Sequence, residues 1–323
     1  MEYRRLGRAG LKVSPLCMGT MQFGWSVNEA DTHRILSATV DAGINFIDTA
    51  DVYSRWVEGN PGGVSETYVG NWLKKAKAPR DKLVLATKVC GEMGPGPNDR
   101  GLSRVHIMQA VEASLRRLQT DYIDLYQSHS ADQDTPIEET LGAFDDLVRQ
   151  GKVRYIGASN YKAWELMQAL WTSDRGNLVQ YACLQPHHNL IWRSEFEAEL
   201  RDVCRTYGLG VIPYSPLAGG FLTGKYRKDR PFPDSVRAAS RKRDMTDSNL
   251  AVLTKVDEIA AAHNATPSQI ALAWLLADPV ITSPIISATS VEQLSENLGA
   301  MDVKLSDDNI SALNALTAGK GKP

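Results

Sequence analysis

The chain has 323 residues, 43% hydrophobic and 23% charged, which is ample apolar material for a packed core and excludes disorder as its main state. Lys plus Arg total 36 and Asp plus Glu 38; the net charge of −2 supplies no broad footprint for nucleic acid or an anionic lipid surface. No apolar run reaches the roughly 18 residues of a membrane helix, no apolar signal core follows the N-terminal charges, and Cys17, Cys90, Cys183 and Cys204 lack paired spacing, so a cytoplasmic protein with reduced thiols is expected.

Tyr3–Leu6 and Leu11–Val13 flank a Gly-Arg-Ala-Gly turn and predict a small β-hairpin. Eight short apolar runs follow: Leu16–Met18, Asn45–Asp48, Leu83–Lys88, Tyr122–Gln127, Val153–Ala158, Gln180–Leu184, Gly210–Tyr214 and Ile281–Ile285. They are apolar throughout, as in strands covered on both faces of a parallel sheet. Amphipathic stretches lie between them. Asn28–Gly43 turns Ile35, Leu36 and Val40 inward, and Ser103 precedes a stripe of Met108, Val111, Leu115 and Leu118. Thr135-Pro136-Ile137-Glu138 reads as a capping box whose helix ends at Gly151, and Thr266-Pro267-Ser268-Gln269 opens a later helix in the same way. The basic stretch Arg227–Arg243 reads as a loop, and Leu305–Leu316 as a C-terminal helix. Trp72, Trp164, Trp171 and Trp274 fall in helices and are expected to pack. No composition break divides residues 1–323, so the expected fold is a single (β/α)₈ TIM barrel with an N-terminal β-hairpin and a C-terminal helix. A doubly wound sheet is the alternative. The count of eight, and the lack of G-x-G-x-x-G after the first strand, weigh against it.

In such barrels the working residues lie at the C-terminal strand ends. Those positions hold Asp48 and Tyr53 after the second strand, Lys88 after the third and His129 after the fourth. An isolated tyrosine titrates near pH ~10. A neighbouring lysine favours the phenolate and is expected to lower that value, with Asp48 as the counter-ion of Lys88. A neutral His129 would orient a substrate oxygen. This is an acid with a tuning pair, suited to reduction of C=O or oxidation of C–OH. Two other patterns carry less. His187-His188 would point to opposite faces of a strand and cannot share one metal there. Gly219–Lys225 fits G-x-x-x-x-G-K, but Tyr226 stands where a phosphate-binding loop needs Ser or Thr.

Over nearly its full length the chain resembles the aldo-keto reductases, in the branch with bacterial reductases and potassium-channel β subunits. The resemblance rests on INFIDTADVY (44–53), LATKV (85–89), DYIDLYQSH (121–129), GKVRYIGASN (151–160), YSPLAGGFLTGKY (214–226) and EQLSENLGA (292–300). It implies carbonyl reduction by direct hydride transfer, NADP(H) rather than NAD(H), and Asp48, Tyr53, Lys88 and His129 as the catalytic set. It also implies Ser159, Asn160 and Gln185 against the nicotinamide carboxamide and Tyr214 stacked on the ring. Ser215, Leu217, Gly219 and Lys225 would cover the pyrophosphate. Ser287, Ala288, Thr289, Ser290, Gln293 and Asn297 would meet the adenosine end. Relatives preferring NADPH often carry a basic residue where this chain has Ser287 or Gln293. Many relatives also have Trp or Arg where this chain has Ser130, which makes that wall more open or more polar. Trp25, Trp56 and Trp192 fall in loops at the same rim, and two of them are expected to line the substrate pocket. The expected partner is a small carbonyl or alcohol, with neither nucleic acid nor membrane; a homo-oligomer stays open. The alternative is an NADPH-sensing binding module like the channel β subunits.

Overall fold

Two short antiparallel strands, β1 (Arg4–Arg5) and β2 (Lys12–Val13), open the chain in the computed structural model, which describes every residue except 77, 230, 322 and 323. Then come β3 (Cys17–Gly19), α1 (Glu29–Asp41), β4 (Phe46–Asp48), α2 (Val64–Ala76), β5 (Val84–Val89), α3 (Arg104–Leu118), β6 (Ile123–Ser128), α4 (Ile137–Arg149), β7 (Val153–Ser159) and α5 (Ala163–Gly176). The second half holds β8 (Tyr181–Gln185), α6 (Arg201–Tyr207), β9 (Gly210–Val211), α7 (Ala238–Arg241), α8 (Asp247–Ala262), α9 (Pro267–Ala277), β10 (Ile285–Ile286), α10 (Val291–Leu298) and α11 (Asp307–Thr317).

Strands β3 to β10 form one parallel eight-stranded sheet in the order β10-β3-β4-β5-β6-β7-β8-β9. A bridge from Val211 to Ile281 closes it, supported by Thr282 N–H on Val211 O (2.8 Å) and Ile285 N–H on Pro213 O (2.9 Å). The result is the (β/α)₈ barrel expected from the eight apolar runs. Its interior packs Cys17, Phe46, Val84, Leu125, Cys183 and Ile212. The hairpin seals the bottom: Leu6 and Val13 are fully buried in that same cluster. Gly7 makes the fit possible, since at φ 59° an added Cβ would lie 2.4 Å from Gly208 O. Burying a leucine of this kind stabilises by roughly 1.5–3 kcal/mol.

Local sequence sets most helix boundaries. Asn28 caps α1 by accepting from Asp31 N–H, and Ser103 caps α3 by accepting from His106 N–H. Thr266 and Gln269 form a reciprocal capping box on α9, with proline in the first turn. The box expected at Thr135 does not form. Thr135 Oγ1 donates to Asp132 Oδ2 (2.8 Å) and leaves Pro136 at the cap position, because Asp132 also accepts from Leu102 N–H and organises that loop. The helix still ends before Gly151, whose φ of 74° suits glycine.

Two tryptophans depart from expectation. Trp72 and Trp274 are buried, whereas Trp164 and Trp171 on α5 are 55% and 57% exposed, and Arg175 lies over the Trp171 ring at 4.9 Å. They fall on the outward face of the helix, whereas the expectation of packing rested on their place in a helix alone. The stretch 231–244 is not merely a loop: it contains α7 and a 3₁₀ turn, Lys242–Asp244, and its residues 234–237 line the cavity at the barrel mouth. All four cysteines are free thiols. Among the described residues no helix is long and apolar enough to cross a membrane, and no group of His, Cys, Asp and Glu gathers to hold a metal.

Candidate active site

Parallel register aligns the strand ends that carry polar side chains. Asp48 pairs with Gly19 and Ala86, Lys88 with Gln127, and Ser159 with Gln185. The strands therefore deliver an acid, a base and two amides to one level above the apolar barrel interior.

Lys88 is the centre of this layer and is 0% exposed. Its ammonium donates to Asp48 Oδ2 at 2.5 Å, Thr49 O at 2.9 Å and Tyr53 Oη at 3.0 Å. Three donors meet three acceptors, so no N–H is left unpaired. Asp48, 1% exposed, keeps its other oxygen for Gln127 Nε2 (2.9 Å) and Gln185 Nε2 (3.0 Å). A buried ion pair is tolerable only with such support, since desolvation otherwise outweighs attraction. The Asp48 carboxylate and the Tyr53 oxygen hold the Lys88 ammonium above the usual lysine range, against the opposing effect of burial.

Tyr53 follows Asp48 on the loop after β4, and its half-buried ring faces His129 with centroids 5.9 Å apart. Its phenol lies above the ordinary tyrosine value. Burial is the largest cause, and Lys88 opposes it through charge and hydrogen bond. The sequence argument expected Lys88 to win; desolvation outweighs it here. His129 is pushed down to about 3 by burial and by the Lys88 charge, so the imidazole is neutral at working pH.

Next to this group opens a cavity of about 880 Å³, within the usual range of small-molecule sites. Its wall includes Asp48, Tyr53 and His129 together with Ser159, Asn160, Gln185, Tyr214, Ser215, Leu217, Gly219 and Lys225. Ser287, Thr289, Gln293 and Asn297, from the stretch after β10 and from α10, also line it. Ser159 Oγ donates to Gln185 O (2.9 Å), Asn160 Nδ2 to His129 O (2.9 Å), and Tyr214 Oη to Asn160 Oδ1 (2.9 Å). Ser290 is not on the wall; it caps α10 by accepting from Gln293 N–H. Ala288 is buried. The Gln293 side-chain carbonyl oxygen accepts from Thr289 N–H and Oγ1.

The three rim tryptophans separate. Trp25 and Trp56 pack edge to face at 5.6 Å, and Trp56 reaches Tyr53 at 6.2 Å, beside the cavity rather than on its wall. Trp192 lies elsewhere, against His187 at 4.0 Å. The two adjacent histidines diverge, with His187 on Tyr214 and His188 buried against Phe196 and Trp274. Ser130 hydrogen-bonds with Cys90 Sγ at 3.3 Å beside His129.

Sequence reasoning missed Arg237, Glu296 and Asp51. Arg237 lines the cavity with the rest of residues 234–237, beside the like charge of Arg241 and 5.6 Å from the Trp25 ring. One arginine in a basic stretch has no local signature of this role. Glu296 lines the cavity with Ser287, Gln293 and Asn297 and accepts from Thr266 Oγ1. Asp51 is fully buried between Asp48 and Tyr53 in sequence, with neither carboxyl oxygen hydrogen-bonded among the described residues. Burial, and then the charge of Glu66, push that carboxyl well above the usual range.

The family model for the aldo/keto reductase family matches residues 15–318. The chain is 40% identical to the uncharacterized oxidoreductase YrpG of Bacillus subtilis (strain 168), over 99% of this chain and 97% of the relative. It is 37% identical to a probable voltage-gated potassium channel subunit beta of Arabidopsis thaliana, over 94% and 92%. It is 36% identical to protein tas of Escherichia coli (strain K12), over 98% and 97%. The chain belongs to the aldo/keto reductase family.

Proposed function

We propose that this chain reduces small aldehydes or ketones to alcohols, or runs the reverse reaction, with NADP(H), and that Tyr53 is the general acid/base. The observation that carries the reading is the Lys88 ammonium joining Asp48 to Tyr53 Oη while neutral His129 faces the same phenol. A bound reduced nicotinamide would supply the hydride. The substrate oxygen would sit between Tyr53 Oη and His129, which donates a hydrogen bond and orients it. Tyr53 gives its proton to that oxygen as the carbonyl carbon is reduced, and the Lys88 ammonium stabilises the phenolate left behind. Oxidation of an alcohol runs the same transfer backwards. The phenol is protonated at neutral pH, as the acid of a reduction must be, and the Lys88 charge and hydrogen bond offset part of the rise that burial imposes on it.

The cavity residues fit a dinucleotide by their chemistry. Ser159, Asn160 and Gln185 offer hydroxyl and amide groups to a carboxamide, and Tyr214 offers a flat ring. Ser215, Leu217, Gly219 and Lys225, all on the cavity lining, would cover the pyrophosphate, and Ser287, Thr289, Gln293 and Asn297, also on it, would meet the adenosine. Two cations, Lys225 and Arg237, share one wall. Desolvation and Arg241 make that guanidinium costly without an anion nearby. The pyrophosphate of either dinucleotide would supply such an anion, and NADP(H), the cofactor the family resemblance implies, would bring a second one in its extra phosphate. Ser290 would act by holding the turn that presents Thr289 and Gln293. Trp25 and Trp56 would border the substrate entrance and favour a partly apolar or sugar-like substrate.

A carbonyl and alcohol panel with both cofactors, followed by the absorbance of the reduced nicotinamide, tests this. Steady turnover supports the enzyme. A single slow oxidation of tightly bound cofactor, with no steady turnover on any carbonyl, would favour the sensing role instead.

A further inference from the structure

Tyr214 is backed by aromatic groups that the proposed chemistry does not use. Its hydroxyl is anchored on Asn160 Oδ1, and removal from water pushes the phenol up to about 12, so it stays a donor. One hydrogen bond at the tip of a tyrosine locates the oxygen but leaves the ring free to turn about its long axis, a soft torsion. Something else must set the plane of the ring. The His187 ring lies parallel to it, with centroids 4.9 Å apart and planes 9° apart. Trp192 packs on His187 in turn, at 4.0 Å. Tyr214 is on the cavity wall, whereas His187 and Trp192 are not, so the stack stands behind the face that meets a ligand.

The backbone locks the same arrangement. Residues 187 and 214 form a parallel bridge, and Tyr214 N–H donates to Pro186 O at 3.0 Å. Asn189 and Trp192 exchange backbone hydrogen bonds at 3.1 and 3.0 Å, while Asn189 Nδ2 donates to Ser215 O at 3.0 Å. The chain just past Trp192 is tied down by Lys320 O, which accepts from the backbone N–H groups of Arg193 and Ser194.

We propose that His187, supported by Trp192, is a positioning residue for the cofactor: the two rings hold Tyr214 in the plane against which a nicotinamide lies. This rests on the dinucleotide reading above. It moves Trp192 from the substrate wall, where the sequence put it, to the back of the cofactor platform. A ring already held flat loses less freedom when a ligand stacks on it, which is a gain in affinity without a new contact.

The test titrates NADPH into the full-length chain and into His187→Ala, His187→Phe and Trp192→Ala, reading nicotinamide fluorescence, with KM, kcat and thermal midpoint in parallel. His187→Ala is expected to weaken NADPH binding about tenfold, equivalent to roughly 1.4 kcal/mol. His187→Phe, which restores a flat ring, is expected to recover affinity to within about threefold, and Trp192→Ala to fall between the two. A role confined to holding the loop would lower the thermal midpoint and leave NADPH affinity alone, which would overturn the proposal. Equal damage by alanine and phenylalanine would overturn it as well. A parent chain that binds no nicotinamide would refute the dinucleotide reading itself, a result distinct from a parent that binds and an alanine variant that binds equally well.

Discussion

Replacing Lys88 by methionine keeps the length of the side chain and deletes its charge. Three hydrogen bonds vanish, to Asp48, Thr49 and Tyr53. Asp48 keeps the amides of Gln127 and Gln185 but becomes a buried carboxylate without its ammonium. Removing one partner of a buried pair costs about 3–5 kcal/mol. In a chain of this length each kcal/mol moves the thermal midpoint by about 2 °C, so a fall of roughly 6–10 °C is expected. The chemistry suffers separately. Burial already holds the Tyr53 phenol above its ordinary value with Lys88 in place, and without the cation it rises further. Loss of a competent acid costs about 10²–10⁴ in turnover. Lys88 lies beneath the cavity wall rather than on it, so NADPH affinity is expected to stay within about threefold. Calorimetry, NADPH titration and kcat/KM against pH read these effects independently. A Lys88→Met chain that melts within about 2 °C of the parent and turns over within tenfold of it would refute the reasoning.

Tyr53→Phe is expected to cut turnover by about 10²–10⁴ while cofactor affinity, read by fluorescence titration, hardly changes; a large loss of affinity would contradict the acid role. Arg237→Gln should lower the ratio of kcat/KM with NADPH to that with NADH, and Gln293→Arg should raise it, each by about tenfold, because a phosphate contact without charge assistance is about half as strong. Asp51→Asn is expected to fold and to be at least as stable as the parent at neutral pH. The folded carboxyl stays protonated above the value near 3.9 at which the unfolded one ionises. Parental stability therefore falls as pH rises from about 4, and the asparagine variant escapes that fall. Thermal midpoints measured between pH 4 and 7 should diverge upward for the variant; parallel curves would mean that Asp51 is ionised in the fold.

Much of this architecture was legible because its signals are local. Strands apolar on both faces, the capping box at Thr266 and Gln269, and the glycine after α4 each act within a few residues. The tetrad was legible for a topological reason: a barrel turns sequence order into a ring of neighbours, so residues ending consecutive strands must meet at one rim. What stayed hidden depends on the third dimension. Trp164 and Trp171 fall in a helix, where large apolar rings are expected to pack, and the position of α5 turns them outward. Arg237 reaches the cavity because residues 234–237 fold onto its lining, which no periodicity encodes. The direction of the Tyr53 shift needed the burial of the phenol weighed against a charge 3.0 Å away, and sequence supplies only the charge.

The barrel is not equally strong around its circumference. β5, β6 and β7 run six or seven residues each, while β9 and β10 have two apiece and join through the bridge at Val211 and Ile281. Fewer rungs make this the zipper's weakest stretch, where amide exchange should be fastest among the strands. The cavity lining from Tyr214 to Lys225 follows β9, and that from Ser287 to Asn297 follows β10. A molecule gripping both banks would act as a clasp across the gap, and a ligand at a hundred times its dissociation constant would add about 2.7 kcal/mol against opening. Resistance to proteases along this arc then becomes a gauge of how much of the protein is loaded.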